Sequence, residues 1–496
     1  MTPPAAGSVL RSKLFWVGVL YFAQGLPFGI FYDVLPVWFR QQGVDLRSIG
    51  VLSLLGLAWT LKFLWAPAVD HYRHHRLWMA SADLAMGAVM LVVAAQAGLG
   101  PLVWAAIAFF TVLSATNDIA IDGYTIEYLN KDELGLANGI RIGLARVGLL
   151  TAGTMLVLVD YIGWSGTFTV AAAILGALAV TMLTAPKEQP RPASSTVSLG
   201  AELRSIAHRP KLLVAIVALA LGVLGLVYRE IRWLHSIEWL WPMAFATAAA
   251  IVAIGWLGAR AQPRSDGASD AKRGPMFGAL FELLGRPAMI PVAIFVLTFK
   301  LGDAAMGFMV KPFWVDRGFT AAEIGMVSVN IGLGLSILGG LVGGWYVDRV
   351  GVFRALWVLG LWQAASNLGY VAAATWIPAG APLEPMHRVL LYSASAGESF
   401  TGGLGTGAFL AFLMSIVDKE RAAAEYALLS SLFALTRSLA GWASGYGAQS
   451  LGYADYFLIT FFLSFPAYAL LPAVRRMLAA IGADGPPARR ASGANA

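Results

Sequence analysis

Between Met289 and Val310 the chain runs apolar for about twenty residues, enough for a helix rising ~1.5 Å per residue to cross the hydrocarbon core of a bilayer. Two charges interrupt the run, Lys300 and Asp303. Spaced by three, they share one face of that helix. Either charge alone in lipid is costly, so the pair has to face protein or a water-filled cavity. That pattern suits a membrane protein with a polar path through it better than a simple anchor.

The same kind of run recurs along the chain. Candidate helices lie near 14–31, 48–66, 77–97, 101–121, 137–160 and 166–185, then 211–228 and 239–258. Six more follow near 289–310, 323–346, 353–376, 388–417, 422–447 and 453–474. Of 496 residues, 58% are hydrophobic and only 13% charged, where a soluble protein carries about a quarter charged residues. The expected class is an all-α polytopic membrane protein of about fourteen spans. With no cysteine, disulfides and thiolate metal sites are excluded. The 6 histidines fall in or beside the expected loops, so no metal centre or cofactor is expected. The first apolar run lacks a small-residue cleavage site and is expected to stay as a span.

Most lysines and arginines fall in cytoplasmic segments if the N-terminus is placed inside. That positive-inside bias sets both termini in the cytoplasm and accounts for the net charge of +7 without nucleic acid. The expected organisation is a cytoplasmic segment 1–13, a six-helix bundle 14–185, linkers with two extra spans 186–288, a second six-helix bundle 289–474, and a cytoplasmic, disordered tail 475–496.

The bundles repeat. Ile49-Gly50-Val51-Leu52-Ser53 opens the second helix of one half and Ile324-Gly325-Met326-Val327-Ser328 that of the other. Asp70-His71-Tyr72-Arg73 and Asp348-Arg349 end those helices, and Lys131-Asp132-Glu133 before Arg146 is echoed by Asp418-Lys419-Glu420 before Arg437. A parallel repeat about an axis along the membrane normal places a substrate site between the halves, near the midplane.

Gly343-Gly344-Trp345-Tyr346-Val347-Asp348-Arg349-Val350-Gly351 resembles the loop signature of the major facilitator superfamily, with a looser copy at Ala66–Arg73. More narrowly, the chain resembles the AmpG-type muropeptide permeases. The matching stretches include Gly25-Leu26-Pro27, Lys62-Phe63-Leu64-Trp65, Asn117-Asp118-Ile119 with Asp122, Lys300-Leu301-Gly302-Asp303, Ala365–Tyr370, Gly402–Thr406 and Tyr426–Ser430. The resemblance implies proton-driven import of N-acetylglucosaminyl-anhydro-N-acetylmuramyl peptides across a bacterial inner membrane, for peptidoglycan recycling, by a monomer. Asp118–Gly123 is also similar to acetyl-CoA transporters. Acetyl-CoA or a siderophore thus stands as an alternative cargo, and a membrane transferase as a remote alternative class.

Lys300 and Asp303 are expected to bind substrate, with Tyr21, Tyr32 and Trp59 as aromatic surfaces for sugar rings. Glu398 is a lone intramembrane carboxylate; desolvation disfavours its charged form, which suits a proton carrier, though a helix-packing role fits as well. Asp118 and Asp122, four apart on one helical face, read either as a proton site or as a gate paired to arginine. Lys62, Asp70, Arg73, Arg146, Asp348, Arg349 and Arg437 complete the expected gating set. Gly402–Gly407 has no Walker lysine and is no phosphate loop, so transport energy is expected from a gradient.

Overall fold

The structure, a computed structural model, describes residues 13–62, 65, 66, 69, 74–96, 98–129, 134–187, 286, 289–380, 382–417 and 422–480, with scattered positions between 214 and 249. Among the described residues the regular structure is helical, and eight stretches are long and apolar enough to cross a membrane. The first half holds α1 (Lys13–Gln41), α2 (Leu46–Leu61), α3 (His75–Ala94), α4 (Pro101–Tyr128), and α5 and α6, which share the run Leu134–Thr184 and part at Gly163. The second half holds α7 (Met289–Asp316), α8 (Ala321–Val350), α9 (Val352–Trp376), α10 (Pro385–Ile416), α11 (Ala422–Leu451) and α12 (Tyr453–Ala480). The expected extra spans at 211–228 and 239–258, like most of 186–288 and the end of the tail, lie outside the described residues.

Two compact units emerge. One comprises Met1–Pro190, Ile294–Ile416 and Ser431–Ala496, and it carries both helical halves almost whole. The other comprises Arg191–Ala293 and Val417–Ser430, which includes the first turns of α7 and α11.

Local chemistry sets the helix starts. Asp45 caps α2 by accepting from the Ser48 amide, and Thr320 with Glu323 forms a reciprocal capping box at α8, each satisfying amides the helix cannot. Pro101 opens α4, where its missing N–H costs nothing.

Two departures from regular α-helix fall inside the spans. Residues Ile30–Val34 of α1 and Ile324–Ile331 of α8 are π-helical, a wound-out geometry that often marks functional positions. The continuous span expected at 289–310 is in fact broken: α7 divides into Met289–Phe299 and Leu301–Asp316, with Lys300 between them at φ −101°, ψ 14°. The break lets the lysine turn its ammonium to the Gly402 carbonyl of α10 at 3.2 Å.

Within the first half α1 crosses α5 so closely that a Cβ on Gly25 would collide with the Ala145 carbonyl oxygen. Small residues permit such backbone contact between spanning helices, where packing rather than hydrophobicity drives association. Gly25→Ala is therefore expected to destabilise the fold by about 1–3 kcal/mol. A lowered thermal midpoint in detergent is the check, and an unchanged midpoint would refute the crossing.

The halves also meet. A Cβ on Gly445 of α11 would collide with the Leu46 carbonyl oxygen of α2. Ser53 Oγ donates to the Ser438 carbonyl at 2.8 Å, and the Leu46 amide donates to Gln449 Oε1 at 3.1 Å. These contacts close the bundle at the end where α1 and α7 finish.

Candidate functional site

Between the halves lies a cavity of about 300 Å³. Phe28, Tyr32, Asp33, Arg146 and Leu149 line it from the first half, and Asp303, Ser328, Glu398, Gly402 and Arg437 are among those lining it from the second. Glu398 apart, the charges on its lining and the lysines paired to them fall into three groups.

The first is built on α7. Lys300 is 2% exposed and reaches Asp303 Oδ2 at 3.5 Å, so the pair legible in the sequence is a real ion pair facing protein. The second joins the halves: Lys311 Nζ lies 3.5 Å from Asp33 Oδ1 and donates to Ser328 Oγ at 2.7 Å. Asp33 and Ser328 both sit on the π-helical segments, whose altered winding sets them toward Lys311. The third is cationic. Arg146 and Arg437 line the same cavity and repel each other, and neither forms an ion pair with a carboxylate among the described residues. Arg437 lies 3.9 Å over the Tyr32 ring and 5.3 Å over Phe28, contacts that orient the guanidinium without neutralising it.

Tyr32 belongs to an aromatic nest with Phe28, Phe31, Trp59 and Phe308, their ring centroids 4.4–6.0 Å apart. Trp59 stands behind Tyr32, buried in this nest. Glu398 lies on α10 and accepts from its neighbour Ser399 Oγ at 3.3 Å.

Tyr21 is elsewhere. Its hydroxyl donates to Asp122 Oδ1 at 2.8 Å, in a network apart from the cavity lining. There Lys62 Nζ contacts Asp118 at 3.2 Å and Asp122 at 3.8 Å. Arg141 donates to Asp122 at 3.1 Å and covers the Tyr21 ring at 4.6 Å. Asp118 thus pairs with Lys62, and Asp122 with both Lys62 and Arg141. Asp348 and Arg349 are exposed at the end of α8, with Arg349 over Trp345 at 4.5 Å. Asp70 and Arg73 lie outside the described residues.

Sequence reasoning passed over five charged residues that matter here, Lys311 among them. Arg40 grips Asp316 through Nε and Nη2, the latter at 2.8 Å, and Tyr453 donates to the same carboxylate at 2.7 Å. This forked pair joins α1 to α7 across the halves at the closed end. A signal existed: Leu35-Pro36-Val37-Trp38-Phe39-Arg40 aligns with Lys311-Pro312-Phe313-Trp314-Val315-Asp316, setting Arg40 against Asp316 and Lys311 within the same motif. Asp33 had no such flag, because one carboxylate at the edge of an apolar run looks like a helix end. Asp83 was also missed; it is fully buried on α3 and accepts from Asn117 Nδ2 at 2.8 Å.

Two helical halves enclosing a charged cavity, shut at one end by close helix contacts and a forked ion pair, make up a membrane transporter of the major facilitator fold. Comparison with known proteins gives the same class. The family model of the Major Facilitator Superfamily matches residues 17–231. The anhydromuropeptide permease of Escherichia coli strain K12 is 28% identical over 473 residues, 93% of this chain and 79% of that protein. A Rickettsia conorii protein carrying the AmpG 4 name is 23% identical over 92% of this chain and 95% of its own length. Among solved structures, an auto-inhibited peptide transporter of the POT family aligns with a TM-score of 0.64 at 14% identity, covering 94% of this chain and 96% of that one. The chain is a multi-pass secondary transporter, similar to AmpG-type permeases over nearly its whole length. These relatives are permeases and transporters rather than enzymes.

Proposed function

We infer that this chain imports anionic sugar-peptides of the anhydromuropeptide class across a bacterial inner membrane, coupled to protons, by alternating access of the bundles 14–185 and 289–474. The observation that carries this reading is the cavity's two arginines, which have no carboxylate partner of their own among the described residues. Guanidinium groups bind carboxylates in forked geometry, and two half-buried cations lining one cavity call for an anion. The aromatic nest beside Arg437 offers a surface for the sugar. A disaccharide peptide exceeds about 300 Å³, so the cavity takes its charged end and the remainder extends between the halves.

In this reading both termini are cytoplasmic, and Arg40 and Asp316 close the periplasmic end. Lys62, Asp118, Asp122 and Arg141, near the cytoplasmic end of α4, belong to the opposite gate, together with Asp70, Arg73, Asp348 and Arg349. Lys300 and Asp303 shape the substrate site from α7, and Glu398 carries the proton. The protein acts as a monomer, with 1–13 and 475–496 as cytoplasmic ends and 186–288 as the connection between bundles.

The test is uptake of labelled N-acetylglucosaminyl-anhydromuramyl tripeptide into proteoliposomes, with and without an inward proton gradient. Gradient-stimulated accumulation is expected. No uptake by protein that melts cooperatively would overturn the substrate assignment, and competition by acetyl-CoA or a siderophore would redirect it. In the same assay Lys300→Ala and Asp303→Ala are each expected to lose about tenfold or more, since one strands the cavity-lining Asp303 and the other the buried Lys300. Wild-type uptake by both would remove them from the site.

A further inference from the structure

Glu398 stands in a cavity where each nearby lysine is already taken. Lys300 is engaged by Asp303 at 3.5 Å on the same helix. Lys311 is engaged by Asp33 at 3.5 Å and by Ser328. Glu398 has the Ser399 hydroxyl. The charges that act on it most strongly come from α7, namely Asp303, Lys311 and Lys300. From α9 it faces the buried Tyr370, and Asp33, Arg146 and Arg437 line the same cavity from α1, α5 and α11. The two lysine pairs differ in one respect. Lys300–Asp303 lies within one helix and survives any movement of the halves. Asp33–Lys311 spans the halves and cannot.

We propose that Lys311 is the coupling residue of the transport cycle, handed from Asp33 to Glu398 when the halves separate at the Arg40–Asp316 end. In the state seen here Asp33 holds Lys311 and Glu398 has no lysine partner, the half of the cycle in which Glu398 would carry its proton. Parting the halves withdraws Asp33 with α1 and leaves Lys311 buried on α7 without its counter-ion. An unpaired buried ammonium is costly, and of the carboxylates lining the cavity that Asp33 and Ser328 share, Glu398 is the one without a lysine of its own. The open state therefore holds Glu398 ionised and paired with Lys311. A proton taken from the periplasmic side neutralises Glu398 and frees Lys311 for Asp33 as the halves close, and its release to the cytoplasmic side restores the carboxylate that draws Lys311 away again, so proton affinity at Glu398 follows the position of the first half. By linkage, acid favours the state with the Arg40–Asp316 end closed and base favours the open one.

This inference rests on the transporter reading, so its test needs a readout that does not involve substrate. The chain has no cysteine, and Gln42→Cys on the loop after α1 with Pro382→Cys before α10 places exposed labels on the two halves. Spin-label distances in reconstituted protein are expected to lengthen as pH rises from about 5.5 to about 8, a range spanning the proton release the linkage requires. Glu398→Gln should abolish that dependence. So should Asp33→Asn, which touches neither Glu398 nor the gate, because Lys311 is then free for Glu398 in both states. A pH-dependent distance that persists unchanged in Asp33→Asn overturns the proposal, whatever the cargo. In transport, accumulation driven by a proton gradient should fall about tenfold or more in both variants. The double variant should be no worse than either single one, and additive losses would count against a shared step. Failure of wild type to exchange the sugar-peptide, with the pH-dependent distance intact, would refute the substrate and leave the handover standing.

Discussion

Alanine at both Arg146 and Arg437 is expected to weaken sugar-peptide binding about 100-fold or more. A hydrogen bond to a charged group contributes about 1.5–3 kcal/mol, and each 1.4 kcal/mol is a factor of about ten in affinity, so losing two guanidinium contacts reaches that range. The two residues differ in their effect on the fold. Arg146 has no carboxylate partner among the described residues and is repelled by Arg437, so Arg146→Ala should leave the thermal midpoint unchanged or raise it. Arg437 stacks over Tyr32, a contact that stabilises by about 0.5–2 kcal/mol, so Arg437→Ala should lower it. Arg437→Lys should bind nearly as poorly as alanine, since a point charge reproduces neither the stack nor the fork. Calorimetric titration with melting curves separates the outcomes; wild-type affinity in the double variant would mean the arginines balance each other's environment and nothing more.

The second large effect is expected at Arg40–Asp316. The pair is forked and half-buried, with side chains 24% and 21% exposed. Solvent screening reduces its value, so we set it at about 1–2 kcal/mol, or roughly tenfold in the ratio of open to closed populations. Arg40→Ala or Asp316→Ala should shift labelled protein toward the open arrangement at that end. The exchange of charges, Arg40→Asp with Asp316→Arg, should recover much of the closed population. Failure of the exchange to recover any closure, with both singles open, would place the holding force in the helix contacts around Gly445 rather than in the ion pair.

Much of this architecture was legible in the chain because lipid enforces it: the spans read as apolar runs, and the Lys300–Asp303 pair announced itself through the cost of charge in hydrocarbon. The six-helix repeat was legible from Ile49–Ser53 and Ile324–Ser328. What could not be read was direction. Nothing local says that Tyr21 turns to Asp122 while Tyr32, three helical turns on, turns to Arg437. Both are aromatic residues on one helix, and the π-helical winding at Ile30–Val34 changes the phase between them. The break at Lys300 was hidden for a similar reason: no proline or glycine stands at Lys300 or directly before it, and the carbonyl its ammonium turns to is on α10, distant in sequence. Arg146 and Arg437 matched in repeat position and were read as gates; only the fold puts both beside one cavity.

The opposed signs of Arg40 and Asp316 bear on how such a chain could have arisen. The two occupy equivalent places in the duplicated motif and meet across the axis that relates the halves. Two copies of the first half, assembled about that axis, would set arginine against arginine; two copies of the second would set aspartate against aspartate. Neither homodimer could make this bond. Once the two motifs had diverged to opposite charge, each half became an obligate partner for the other, and fusion into one polypeptide fixed their stoichiometry at one to one.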